Sequence, residues 1–178
     1  MCNSRKRYYT YVFLTFLLLL SGFDLYSQDR ASFNSNVYAK VLTRKVGDAY
    51  SIEKILDLNF GNIVIASTSG TMTINPQNNF TSNTGGVSPL PSARTRAEFL
   101  VKGKANMYFS VSINTSSITL QNTGNSGQTV TLSLTNYTTG RFNNNGDAYL
   151  YVGGTLNIEA NQPSGSYQGT FTVTLNNN

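Results

Sequence analysis

The chain contains 178 residues, no histidine and one cysteine, and only 12% of its residues are charged. Without histidine it lacks the commonest general base and the nitrogen ligands of zinc sites, which excludes Ser–His and Cys–His catalytic pairs. The length suits a single domain that is stabilised by its own hydrophobic core. No cofactor and no metal site are therefore expected.

Residues 1–27 have the three-part pattern of a signal peptide. A basic start at 5–7 precedes an apolar stretch at 11–20, and Ser27 supplies a small residue at the expected cleavage point. The apolar stretch is shorter than the ~18 residues that a membrane span requires, so an uncleaved anchor is the less favoured alternative. The pattern predicts an exported protein, located at the cell surface, in the extracellular space or in the periplasm, that meets a membrane only during export.

Removal of residues 1–27 lowers the net charge from +5 to +3 and takes away Cys2, the only thiol. Because the basic residues form no stripe, the charge distribution does not indicate a nucleic-acid partner. Because the remaining chain has no thiol, its core rather than disulfides must hold it together. The few basic residues that lie near one another are interpreted as solvated side chains of a loop and a strand end: Arg94, Arg96, Lys102 and Lys104.

Residues 28–50 are predicted to form an N-terminal arm or first strand, followed by a linker. Apolar residues recur at alternate positions and share one face, as in a strand with one buried side; they are Phe33, Val37, Ala39 and Val41. The arm is expected to pair with an edge strand, and the final strand at 169–175 is the first choice. It either folds back as the first strand of its own domain or is donated to another copy.

Residues 51–178 are predicted to form one β-sandwich domain. About nine or ten short segments alternate between apolar and polar residues, and turn signals recur roughly every 8–12 residues. The clearest segments are 107–113 and 170–175, in which apolar residues occupy every second position. Such alternation is typical of antiparallel sheets with one solvent-facing side. The polar stretch at 77–92 is predicted to be a long surface loop.

The acidic residues of the domain do not indicate an enzyme. Asp57, Glu98 and Glu159 each occupy the polar face of a predicted strand, and no spacing brings two of them together. Glycoside hydrolysis requires two carboxylates roughly 5–9.5 Å apart across a cleft. The three side chains are interpreted as solvent-facing charges, and the chain is predicted not to be an enzyme.

Tyr149 and Tyr151 are the most prominent candidates for a binding site. They share one face of a strand, opposite to Leu150 and Val152, so they point to solvent if the aliphatic residues lie in the core. Exposed aromatic rings can stack on sugars, but they also form ordinary cross-strand pairs, and the second interpretation is favoured. The glycine pair at 153–154 predicts a bulge, a bend or a close backbone approach.

Five short blocks, in this order along the chain, resemble one known family. They are Leu58–Gly61, Gly70–Ile74, Ala97–Gly103, Val152–Leu156 and Gly165–Thr174. From about residue 51 to 178 the chain resembles the bacterial secreted family known as domain of unknown function 4402, and its closing block is similar to pilin-like and spore-coat-U-like β-sandwich subunits. The resemblance implies an exported all-β protein with an antiparallel immunoglobulin-like (pilin-like) β-sandwich preceded by a signal peptide. It supplies no catalytic residues.

Two functions follow as hypotheses. The first is a fimbria-like structural subunit of the cell surface that assembles by β-strand pairing with copies of itself or with related surface subunits. The alternative is a surface binding module, an adhesin, that recognises glycan or protein through Tyr149, Tyr151 and the loop at 77–92.

Overall fold

The computed structural model describes residues 31–43 and 50–177, and the predicted signal peptide lies outside these ranges. The regular secondary structure of the described residues is all strand, which confirms the all-β prediction. No helix within these ranges has the length and apolar character needed to cross a membrane. The described residues form ten strands: β1 (Ala31–Thr43), β2 (Ser51–Leu56), β3 (Leu58–Ile74), β4 (Thr81–Pro89), β5 (Ala97–Lys102), β6 (Phe109–Ile113), β7 (Ser117–Asn122), β8 (Thr129–Thr138), β9 (Asp147–Ile158) and β10 (Gly165–Asn177).

Six of the described strands pair into a closed ring in the order β9, β8, β7, β10, β1 and β3, and β3 returns to β9. The other strands extend this ring: β5 and then β2 continue from β9, β4 pairs with β3, and β6 pairs with β10. Each of these pairs is antiparallel except that of β1 with β10. The mostly antiparallel pairing agrees with the prediction. The prediction also specified an immunoglobulin-like sandwich, which has two separate sheets. The closed ring differs from that architecture.

The ring closes because long strands change partner along their length. β3 pairs with β1 over residues 58–65 and with β9 over residues 70–74. β9 in turn leaves β5 after Val152 and joins β3. At this change a Cβ on Gly153 would collide with the carbonyl oxygen of Ile74, so only glycine lets the two backbones approach. The glycine pair therefore marks a close backbone approach, one of the predicted alternatives.

Side chains along the strands alternate between the core and the solvent, as the sequence pattern predicts. In β8 the apolar residues Val130, Leu132 and Leu134 are buried, and the polar residues between them are exposed. In β10 the same alternation buries Phe171 and Val173 and leaves the threonines between them less buried. The inward-facing side chains of all the ring strands form one continuous core.

The stretch at 77–92 is not a long loop, and that prediction was wrong. Residues Thr81–Pro89 form β4, which pairs with β3 as a hairpin. β4 is the last strand in the sheet order and lies next to β3. Val87 is its one buried side chain. A strand with a single buried side chain needs no apolar alternation, so its sequence is indistinguishable from a polar loop.

Candidate functional site

β1 completes the ring by lying between β10 and β3. Residues 33–43 pair in parallel with residues 165–175 of β10, and residues 31–37 pair antiparallel with β3. The predicted pairing of the arm with the final strand is confirmed, and it forms within one chain. β10 is not an edge strand, because β7 and β6 pair with its other side. The space that β1 fills between β10 and residues 58–65 of β3 is called the β1 seam below.

Two of the four predicted arm residues have described side chains, and both are enclosed by the core. Phe33 is 1% exposed and Val37 is 0% exposed. The side chains of Ala39 and Val41 lie outside the described part of the structure, although their backbones pair with residues 171 and 173. For Phe33 and Val37, the alternating pattern therefore correctly predicts the face that is buried.

Phe33 packs on Tyr167, a fully buried ring that has hydrogen bonds of its own. The two ring centroids are 4.4 Å apart and the planes meet at 29°. The Tyr167 hydroxyl donates to the Pro163 carbonyl oxygen at 2.8 Å, and Gln162 Nε2 donates to the Tyr167 hydroxyl oxygen at 2.9 Å. Gln162 Nε2 also donates to the carbonyl oxygen of Thr129 at 3.2 Å. None of these hydrogen-bond partners belongs to β1, so the floor under Phe33 is oriented independently of the strand that covers it.

Ser35 lies between Phe33 and Val37 on the same buried face. It is 0% exposed, and its Oγ has no hydrogen-bond partner among the described residues. The register between β1 and β3 shifts immediately after Ser35, opposite Gly61, which has a φ of 70°. Burying a hydroxyl without a partner costs roughly 1–3 kcal/mol. Ser35 is therefore the least favourable contact of β1 in the seam.

Tyr149 and Tyr151 lie on the outer face of β9, as predicted. Their rings are nearly parallel, with an interplanar angle of 5° and centroids 6.0 Å apart. Tyr149 is 44% exposed, whereas Tyr151 is half-buried. Tyr137 of β8 is the cross-strand neighbour of Tyr151 and is also exposed. The two parallel rings and the neighbouring Tyr137 are called the tyrosine surface below.

Arg96 borders the tyrosine surface and fixes its relation to the turn that follows β3. Its guanidinium carbon lies 3.6 Å from the centre of the Tyr151 ring, which is a cation–π contact. Arg96 Nη1 donates to the carbonyl oxygens of Pro76 and Gln77, each at 2.7 Å, and its backbone N–H donates to Asn79 Oδ1 at 2.8 Å. The interpretation of Arg96 as a solvated charge was therefore wrong. Arg96 lies directly before β5, in which Glu98 pairs with Tyr151, and this position is the sequence feature from which the contact could have been inferred.

The environment of Tyr151 in the tyrosine surface changes the pKa of its phenol. Burial raises the pKa of the Tyr151 phenol above its usual value of 10.0, and the nearby Glu98 carboxylate raises it further, while Arg96 acts in the opposite direction. Glu98 is the cross-strand neighbour of Tyr151 on β5. An aromatic surface with a guanidinium beside it can stack on a sugar or another flat group.

The other two predicted acidic residues, Asp57 and Glu159, are at least partly exposed. Asp57 forms an ion pair with Lys54 at 2.9 Å on the surface. Glu159 is exposed at the end of β9, away from that pair in the sequence. Within residues 31–43 and 50–177, no group of three or more histidine, cysteine, aspartate or glutamate side chains is placed to hold a metal ion.

Comparison with known proteins identifies one family. The family model described as Domain of unknown function (DUF4402) matches residues 50–177. No curated protein and no solved structure gives a significant match. The matched segment begins just before β2 and ends in the last strand, so it includes the tyrosine surface and both sides of the β1 seam, but not β1 itself. Because the match covers well over half of its length, the chain belongs to the domain of unknown function 4402 family.

Proposed function

We propose that the chain is an exported structural subunit of the bacterial cell surface, fimbria-like, whose copies assemble by exchanging β1. The observation that carries this proposal is the position of β1. A strand that precedes the segment matched by the family model fills the middle of the sheet, between β10 and β3. Export and the location at the surface rest on the signal-peptide pattern of residues 1–27 and on the family resemblance.

The β1 seam has the properties that a strand-receiving site requires. With β1 absent, β10 and β3 would present unpaired N–H and C=O groups, which another strand can satisfy. Phe33 and Val37 fill the core side of the seam, and the ring beneath Phe33 is held by hydrogen bonds to which β1 does not contribute. The β1 of a second copy would make the same contacts, so exchange between copies leaves the contact energy nearly unchanged.

The immunoglobulin-like and pilin-like part of the fold prediction belongs to this proposal. In pilin-like assembly, a subunit completes its sheet with a strand supplied by another chain. In this protein the strand that would be supplied is near the amino terminus and is joined to β2 by residues 44–50. Exchange of β1 is proposed by analogy with that mode of assembly, and the exchange does not require two separate sheets.

A pair of cysteines tests the exchange, because the chain has no thiol other than Cys2. Tyr38 and Thr170 are cross-strand partners on β1 and β10, and both are exposed. Partners at this spacing can form a disulfide, so Tyr38→Cys with Thr170→Cys can lock β1 into its own seam. We expect protein oxidised as a dilute monomer to stay monomeric when it is concentrated. Reduced protein should form heat-resistant oligomers, and their later oxidation should give interchain disulfides on a non-reducing gel.

Thr71→Cys with Thr84→Cys is the matched control. These residues are cross-strand partners in the hairpin of β3 and β4, away from β1. This disulfide should form within each chain in every state and leave assembly unchanged. If the locked protein forms as many oligomers as the control, exchange of β1 is refuted. If none of the proteins forms heat-resistant oligomers, assembly itself is refuted.

A second function, that of an adhesin, is favoured by the tyrosine surface. Arg96 holds Tyr151 beside the exposed ring of Tyr149, which gives a rigid aromatic face on which a glycan can stack. A glycan array probed with the wild type and with the double variant Tyr149→Ala/Tyr151→Ala tests it. Binding by the wild type that the double variant loses supports the adhesin function, and the absence of wild-type binding removes its glycan form.

A further inference from the structure

A groove lies on the outer surface where β1, β10 and β7 meet. Its volume is about 460 Å³, which is within the range of small-molecule sites. β1 contributes Tyr38, β10 contributes Gln168 and Thr170, and β7 contributes Ile118, Thr119 and Gln121. The groove is distinct from the tyrosine surface, which is formed by β8 and β9.

The groove exists because β10 changes its partner at this point. The pairing of β10 with β7 ends at Gln168, and its pairing with β6 begins at Val173. Residues 169–172 of β10 therefore belong to neither ladder on this side of the strand. Beneath the interval, Gly169 allows the core residue Leu120 to pack closely, because a Cβ at this position would lie only 2.5 Å from Leu120 Cδ2. The floor of the groove is thus packed core.

The polar side chains of the groove are free to bind a ligand. Within the part of the chain that the structure describes, the side chains of Thr119, Gln121, Gln168 and Thr170 have no hydrogen-bond partner. On another part of the surface, by contrast, Thr71 and Thr84 share a hydrogen bond of 2.8 Å between their Oγ1 atoms. Two amides and two hydroxyls therefore offer unused donors and acceptors around one depression.

The composition of the groove specifies the class of ligand. Among the described side chains, its lining carries no charged group, so these side chains provide no partner for a phosphate, a carboxylate or an ammonium group. Tyr38 is 40% exposed and supplies an aromatic face beside Ile118. An aromatic face bordered by neutral amides and hydroxyls matches a pyranose ring, which has an apolar C–H face and hydroxyls around its rim.

We propose that this groove binds a neutral carbohydrate, with one sugar ring against Tyr38 and its hydroxyls hydrogen-bonded to Gln121 and Gln168. Because Tyr38 belongs to β1, the site is complete only when a β1 strand occupies the seam. The strand can come from the same chain or from another copy, so this proposal does not rest on exchange. Since the sugar binds only the state with β1 seated, it stabilises that state by RT ln(1 + [L]/Kd), which increases with the logarithm of the sugar concentration above Kd.

Titration of the purified protein with neutral disaccharides tests the proposal. Cellobiose, maltose, lactose and N,N′-diacetylchitobiose are the probes, and digalacturonic acid is the charged comparison; binding is followed by backbone amide shifts in NMR. We expect at least one neutral disaccharide to shift the amides of residues 118–121 and 168–170. Tyr38→Ala should weaken that binding by about tenfold or more, because the apolar contact with the ring is lost. Tyr38→Phe should retain it to within about threefold, since the aromatic face remains.

Tyr108→Ala is the matched control, because Tyr108 is an exposed tyrosine that belongs neither to the groove nor to the tyrosine surface. This variant should bind the disaccharide as the wild type does. If Tyr38→Ala does not fold, the double variant Gln121→Leu/Gln168→Leu decides the matter, and it should lose at least about tenfold in affinity. The proposal is overturned if no neutral disaccharide binds, if digalacturonic acid binds more tightly, or if Tyr38→Ala binds the disaccharide as tightly as Tyr108→Ala does.

Discussion

Replacement of Phe33 by alanine measures how firmly β1 is held in its seam. The ring is 1% exposed, and it stacks on Tyr167 with a centroid distance of 4.4 Å. A buried phenylalanine removes ~150–200 Å² of apolar surface from water, and at about 25 cal/mol per Å² this corresponds to about 4–5 kcal/mol. Phe→Ala changes in protein cores cost about 3–5 kcal/mol. We therefore expect Phe33→Ala to lower the free energy of unfolding by about 3–5 kcal/mol if β1 stays in place.

The seam sets an upper limit to this loss, because the variant can release β1 instead of keeping a cavity. Urea unfolding, followed by circular dichroism and by tyrosine fluorescence, separates the two responses. If β1 remains seated, the midpoint falls and the slope of the free energy against urea stays the same. If β1 is released, the slope also falls, because less surface is left to expose on unfolding.

Tyr38→Ala is the control for Phe33→Ala, since Tyr38 lies on the same strand but faces outwards and is exposed. We expect this change to cost less than about 1 kcal/mol. A loss below about 1 kcal/mol for Phe33→Ala, or a loss equal to that of the control, would contradict the burial of β1 between β10 and β3. That result would also remove the basis for the proposed exchange.

Three further changes test other parts of the structure. Ser35→Ala should leave the free energy of unfolding unchanged or raise it by up to about 1 kcal/mol, because it removes a buried hydroxyl without a partner; a loss above ~1 kcal/mol in urea unfolding would show that the hydroxyl is bonded. Phe171→Ala should cost about 3–5 kcal/mol and Thr172→Ala less than about 0.5 kcal/mol; equal losses in the same assay would refute the register of β10. Because the Tyr151 phenol has a raised pKa in the folded protein, its contribution to stability is complete below pH 10.0 and is lost as the pH rises through the folded value. The midpoint temperature of thermal unfolding should therefore fall less steeply with rising alkaline pH in Tyr151→Phe than in the wild type.

The local features of this fold could be predicted from the sequence because strands of period two record which side chains are buried. The buried faces of β8 and β10 and the outward direction of Tyr149 follow directly from alternation. The arm at Phe33 and Val37 was also correctly interpreted as a strand that pairs with the final one. In each case a single strand carries its own signal, and no knowledge of its neighbours is needed.

The features that the sequence did not predict depend on several strands at once. The ring closes where Gly153 lets β9 pass from β5 to β3, and a glycine pair by itself does not indicate which strands meet. The alternation of apolar residues in β1 and β10 does not indicate whether the two strands run parallel or antiparallel. The contact of Arg96 with Tyr151 joins β5 to β9, and the groove joins residues from β1, β7 and β10. Such contacts between distant parts of the chain produce no periodic pattern in the sequence.

The pairing of β1 with β10 joins the first and last described strands, and this has a consequence for the time course of folding. Phe33 pairs with the backbone of Gly165, so about 130 residues must be synthesised after β1 before its partner exists, which takes on the order of 10 s at typical rates of translation. β3 is available much earlier, and β1 can pair with it while the rest of the chain is still being made. Closure of the ring must therefore be a late event, and contacts of such long sequence separation form slowly. During this interval one side of every nascent β1 is without its neighbour.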